Sequence, residues 1–177
     1  MLNNQEKLKG LHDMDQLYKD CRKDWNKKFS DHRYLKYPRW AYIKKTIDQF
    51  RVKTILEFGC GLSTILFDQL GCKVDSFETD QDYMKSVDSM IHTRNVNFFH
   101  WNNQSSDYFK KLEKYHMALV DGALPRTRQL NIAAKYSDII IIDDININRP
   151  IDLPDWVRID SITRFIGVFV RRLYYAA

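Results

Sequence analysis

Thr54-Ile55-Leu56-Glu57-Phe58-Gly59-Cys60-Gly61-Leu62-Ser63-Thr64 is the stretch on which the fold turns. A run of β-formers carries an acidic residue, Glu57, near its end and breaks at a glycine–x–glycine turn. Ser63 and Thr64 then open an amphipathic segment that Gly71 stops. A strand passing through such a turn into a helix sets unpaired backbone N–H groups beside the turn, a setting suited to a nucleotide-type ligand. Gly59 and Gly61 are expected to permit the tight bend and the close approach of ligand to backbone. A purely structural turn would look the same, so the flanking sequence has to decide.

Outward from this stretch the pattern alternates. Strand candidates fall at 54–58, 73–78, 96–100, 117–121 and 138–143, with helix candidates at 63–70, 81–92, 105–115 and 126–136 between them. Strands alternating with helices of this length predict a parallel sheet covered on both faces. Four consecutive isoleucines, Ile139 to Ile142, suit a central strand buried on both sides. The ending departs from the alternation. After Pro150 and Pro154, two strand-like runs at 156–159 and 166–171 are joined by a link too short for a helix, which forces them antiparallel. On the other side, Leu8, Leu11, Met14, Leu17, Tyr18, Cys21 and Trp25 mark a helix over 4–28, and a second helix is expected from Arg39 to Phe50. Residues 1–50 are thus read as an N-terminal helical segment of the same domain as 51–177.

The 177 residues are 44% hydrophobic and 14% aromatic, which excludes a disordered chain and gives one domain a substantial core. No apolar run approaches the roughly 20 residues of a membrane helix. Three cysteines without ligand spacing argue against a zinc site and for a reducing, cytoplasmic compartment. The net charge of +5 is uneven: residues 1–54 hold 14 Lys/Arg against 7 Asp/Glu, so +7 sits there and −2 in the remainder. That arm could meet nucleic acid, but its acidic and basic residues are mixed, as on a solvated helical face.

Glu78, in Phe77-Glu78-Thr79-Asp80, lies 19 positions after Gly59. This is the spacing at which a strand-end carboxylate accepts the hydroxyls of a ribose. Asp80 is expected to cap the helix that follows. The motif Glu57-x-Gly59-x-Gly61, without a third glycine, together with Glu78 and the closing hairpin, resembles motifs I and II of the class I S-adenosylmethionine-dependent methyltransferases across about Lys53 to Arg171. The resemblance implies a Rossmann-like α/β fold, a mostly parallel seven-stranded sheet with a C-terminal antiparallel hairpin and helices on both faces. It implies S-adenosylmethionine as cofactor, with the backbone of Phe58, Gly59, Cys60 and Gly61 against its methionine part, Glu78 at the ribose, Glu57, Ser63 and Thr79 among its contacts, and Asp121 facing the methionine amine or the substrate. Trp101, Ser105 and Ser106 would border the adenine; equally, Trp101 could pack on a neighbouring helix and Ser105 could cap one.

Asp121 ends the fourth strand candidate, and Asp143 and Asp144 end the fifth. Strand ends of a doubly wound sheet are neighbours, and carboxylates converging there need a neutralising partner, either a divalent cation or Arg126 or Arg128. The set resembles catechol O-methyltransferase and its relatives, which implies that Asp121, Asp143 and Asp144 orient a methyl acceptor and hold Mg2+. No lysine follows Asp121 where that family places its base. A segment rich in aromatic and basic residues, Asp31-His32-Arg33-Tyr34 through Tyr37-Pro38-Arg39-Trp40, reads as a loop that either lids the site or packs on the sheet. The function expected is methyl transfer from S-adenosylmethionine to an oxygen of a small molecule. The alternatives are a nucleic-acid methyltransferase or a non-catalytic nucleic-acid-binding module using the basic arm.

Overall fold

The computed structural model describes residues 4–29, 35–102, 109, 112–122, 126–144, 153–160 and 166–172, with side chains from Asp15 onward. Its helices are α1 (Asn4–Lys28), α2 (Tyr37–Phe50), α3 (Leu62–Gln69), α4 (Gln81–Asp88) and α5 (Arg126–Tyr136). Its strands are β1 (Thr54–Phe58), β2 (Lys73–Glu78), β3 (Val96–His100), β4 (Tyr115–Val120), β5 (Ser137–Asp143), β6 (Trp156–Asp160) and β7 (Ile166–Arg171). They form one sheet in the order β3-β2-β1-β4-β5-β7-β6. The first five strands run parallel, and β7 lies antiparallel between β5 and β6. The parallel sheet and the closing hairpin are therefore as the sequence predicts.

Side chains alternate between the faces with the two-residue period of a strand. Ile55, Val74, Met117, Leu119, Ile139 and Ile141 point to the side holding α1, α2 and α3, where Trp25, Trp40, Ile43, Leu66 and Phe67 meet them. Leu56, Phe58, Phe77, Val120, Ile140 and Ile142 point to the other side, toward Trp101, Phe109 and Ala133 of α5. All four isoleucines of β5 are fully buried, each stabilising the fold by about 1.5–3 kcal/mol relative to exposure. The N-terminal helices share this core with the sheet.

Three boundaries differ from expectation by two residues or more. β4 starts at Tyr115, where the sequence suggests the end of a helix: Tyr115 is buried, pairs with Ser137 and donates its hydroxyl to Asp75. Most of the 105–115 helix candidate lies outside the described residues. α4 stops at Asp88 rather than His92, because Met90 and Ile91 donate to Val87 and Asp88 in tight three-residue turns and the Thr93 hydroxyl then anchors the chain to Asp68. α2 begins at Tyr37, not Arg39. Pro38 sits in its first turn, where a missing N–H breaks no bond, and Trp40 is buried against Phe67. This part of the aromatic–basic segment packs on the sheet; residues 30–34, with His32 and Tyr34, lie outside the described residues.

Candidate active site

The strand registers place the acidic residues in one line. Glu57 of β1 pairs with Ser76, Phe58 with Phe77 and Val120, and Val120 in turn with Ile142. One residue further on, Glu78, Gly59, Asp121 and Asp143 stand side by side across β2, β1, β4 and β5. The backbone bonds from Gly59 N to Phe77 O and from Asp121 N to Phe58 O, 2.8 and 3.0 Å, continue the ladders to this level. Neighbouring strands lie about 5 Å apart, so these groups border one crevice. It opens where the strand order reverses between β1 and β4, the place at which open α/β sheets bind ligands. Alternation turns Glu57, Glu78, Asp121 and Asp143 to the face carrying α1, α2 and α3.

Gly59 supplies the one bare position in that line. Its φ of +93° is a left-handed value that L side chains rarely adopt, and a Cβ there would stand 3.1 Å from the Asp121 carbonyl carbon and from Gly122. Gly61 differs: its φ of 172° is ordinary extended backbone, and a Cβ would make only normal contacts with Tyr83 and Trp25. The bend thus depends on Gly59 alone. Trp25, Phe29 and Tyr83 form an aromatic cluster beside the turn, with ring centroids 4.2 to 6.3 Å apart.

Glu57 does not face the crevice. It is fully buried, and its two oxygens accept the hydroxyls of Ser63 and Thr64 at 2.6 Å and of Ser76 at 2.7 Å. The Thr64 hydroxyl also accepts the Gly61 N–H at 2.9 Å, so one carboxylate ties β1, β2 and the start of α3 together. Burial pushes its pKa up to about 7, while the three hydroxyls oppose the rise and the charge of Glu78 adds to it. Glu57 and Ser63, both expected at the cofactor, direct their polar side-chain atoms to each other inside the core. Phe58 is likewise enclosed, its ring 5.1 Å from Trp101 and its carbonyl taken by Asp121.

Glu78 remains at the edge, partly exposed. Its Oε1 accepts the N–H groups of Thr79 (2.6 Å) and Asp80 (3.0 Å) and the Thr79 hydroxyl (3.1 Å). A carboxylate offers about four lone-pair sites, so capacity for vicinal hydroxyls remains. The buried Cys60 thiol also bonds to Glu78; burial foremost, then the charges of Glu57 and Glu78, push it far up and keep it protonated. Asp80 caps α4 as expected, accepting from Asp82 and Tyr83. Trp101, expected either at the adenine or in packing, is 4% exposed and lies among Phe58, Phe77 and Phe109, with the Arg128 guanidinium 5.5 Å over its ring. Ser105 and Ser106 lie outside the described residues.

The aspartates have a partner that the sequence did not reveal. Arg39 of α2 reaches Asp143 through Nη1 and Asp144 through Nη2, both at 2.8 Å. Asp143 is 2% exposed and also accepts the Asp144 N–H at 2.9 Å. Arg126 donates to the Asp144 backbone carbonyl, and the Arg128 guanidinium lies over Trp101. Asp121 has its pKa pushed up to about 8, chiefly by burial, then by Asp143, Asp144 and Glu57, with Arg39 opposing. A magnesium ion needs near-octahedral oxygen ligands at about 2.1 Å. Two of the three carboxylates are instead turned onto a guanidinium, and among the described residues no group of three such ligands converges. The set does not fit a divalent ion. Arg39, Thr64 and Ser76 are the functional neighbours that sequence reading missed; a serine at an inward strand position opposite an inward glutamate was the available signal for Ser76.

No protein-family model and no curated protein sequence matches the chain. Solved structures do. A proposed caffeoyl-CoA O-methyltransferase from Staphylococcus aureus superposes with a TM-score of 0.67 at 17% identity, over 95% of this chain and 99% of that one. An O-methyltransferase from Bacillus cereus, in complex with S-adenosylhomocysteine, gives 0.67 at 15% identity over 88% and 91%. The O-methyltransferase TomG from Streptomyces achromogenes, in complex with S-adenosylmethionine, gives 0.61 at 14% over 78% and 81%. At such identities the likeness concerns the fold: this chain has the Rossmann-like fold of the class I methyltransferases.

Proposed function

We propose that this protein is an S-adenosylmethionine-dependent methyltransferase acting on an oxygen of a small-molecule acceptor. The observation that carries the reading is the line Glu78–Gly59–Asp121–Asp143 at the strand reversal. That two structures of the same fold are complexes with S-adenosylmethionine or its product supports it. When bound, the cofactor supplies an electrophilic methyl on a sulfonium. Glu78 would accept the ribose hydroxyls, and Gly59, packed against the Asp121–Gly122 backbone, would hold the turn beside it. Asp121, whose carboxyl ionises at about pH 8, would in its ionised form hold the acceptor hydroxyl and receive its proton. Rate enhancement would come mainly from alignment for in-line transfer. The aspartates and Arg39 orient the acceptor, and no step uses a divalent ion. A reducing, cytoplasmic setting suits the three free, buried cysteines; no helix among the described residues is long and apolar enough to cross a membrane.

The nucleic-acid alternative draws on the basic N-terminal arm. In α1, however, Lys19 pairs with Asp15 and Lys27 with Asp24 along the helix, as on a solvated face. Calorimetry with S-adenosylhomocysteine tests the main reading. Wild type is expected to bind, and Glu78→Ala to bind about tenfold or more weakly, as the loss of charged hydrogen bonds implies. Absence of binding of either S-adenosylhomocysteine or S-adenosylmethionine at millimolar concentration would sink it. RNA or DNA binding that weakens steeply with salt would move the assignment to the alternative.

A further inference from the structure

We propose that Arg39 is the resident cation of the strand-end aspartate site, a positioning residue whose forked guanidinium stands where an aspartate set of this kind would otherwise take a divalent ion. Three observations converge. Asp143, almost wholly buried, would be a costly lone charge, and one nitrogen of Arg39 lies 2.8 Å from its Oδ2. The second nitrogen lies 2.8 Å from Oδ1 of Asp144, so a single planar group spans two carboxylates. Asp144 is brought round to it by a left-handed backbone, φ +53°, unusual for a residue with a side chain, and the Arg126 side chain holds its carbonyl.

Arg39 is itself fixed. It follows Pro38 in the first turn of α2 and precedes the fully buried Trp40, and only 18% of its side chain is exposed. A guanidinium so placed cannot be displaced by an ion without stranding a buried positive charge. Its field also reaches Asp121, where it opposes the two neighbouring aspartates. The charge that an ion would bring is therefore built into the chain. Acceptor orientation by Asp121 would follow the position of α2, not the supply of metal. As a statement about methyl transfer this rests on the proposed function; as a statement about which cation occupies the site it does not.

The test is a Mn2+ titration of the full chain, followed by the electron paramagnetic resonance of the free ion, on wild type, Asp143→Asn, Arg39→Lys, Arg39→Ala and Arg39→Ala/Asp143→Asn. Wild type and Arg39→Lys are expected to leave the ion free. Arg39→Ala, with its carboxylates uncompensated, should bind one ion at least about tenfold more tightly than wild type, and the added Asp143→Asn should abolish that gain. One tightly bound ion in wild type, lost in Asp143→Asn, would overturn the proposal, and so would a folded Arg39→Ala that gains no ion. The wild-type arm decides if Arg39→Ala does not fold. S-adenosylhomocysteine calorimetry with and without EDTA runs alongside. Failure to bind the nucleoside would strike the methyltransferase reading and leave the cation result standing, whereas binding lost in EDTA would strike the cation assignment.

Discussion

Glu57 ties two strands to the start of a helix through one carboxylate. An acidic residue beside a glycine turn invites reading as a ligand contact, but its oxygens receive the hydroxyls of Ser63, Thr64 and Ser76 inside the core. Its buried carboxyl holds a proton to about pH 7, and Asp121 holds one to about pH 8. In the unfolded chain both would ionise near pH 4. Between those values the native state binds more protons than the unfolded one, so stability is fullest at low pH and falls as pH rises through 7 and 8. Urea midpoints should therefore decline from pH 5 to pH 8. Glu57→Gln, which cannot ionise, should flatten the decline between pH 5 and 7 by an amount of order 1–3 kcal/mol. An unchanged slope in the variant would show that Glu57 does not carry the effect. At this scale Glu78 and the strand-end aspartates were legible from their spacing. Arg39 was not, because its partners lie more than a hundred positions away and nothing local distinguishes it from the other basic residues of its segment.

Elements were easier to read than their ends. The five parallel strands announced themselves by apolar runs, and the hairpin by a link too short for a helix. Boundaries depended on tertiary contacts: the Tyr115 hydroxyl on Asp75 belongs to a strand, and the turns after Asp88 depend on an anchor in α3. Trp101 depends on tertiary contacts in the same way: the sequence left it between ligand stacking and packing, and in the structure it lies against the rings of Phe58, Phe77 and Phe109. Trp101→Ala should then cost about 3–5 kcal/mol in chemical denaturation. Trp101→Phe, retaining most of the ring contacts, should leave S-adenosylhomocysteine affinity within about twofold of wild type. A large affinity loss in a stable Trp101→Phe would return the residue to the cofactor.

For the whole molecule, the strand order does most to place function, since the reversal between β1 and β4 gathers groups from four strands at one edge. The same order has a consequence for how the chain is made. Among the described strands β7 is the latest to emerge from the ribosome, yet its place is inside the sheet, between β5 and β6. Until it arrives, the nascent chain carries Ile139, Ile140, Ile141 and Ile142 on an open edge, the arrangement most prone to pair with another molecule. A chain cut after residue 160 should sediment as aggregate while the full-length protein stays in the supernatant, and a soluble, monomeric truncation would refute this. Any cell producing this protein has to shelter that edge for as long as translation takes to deliver the final strand.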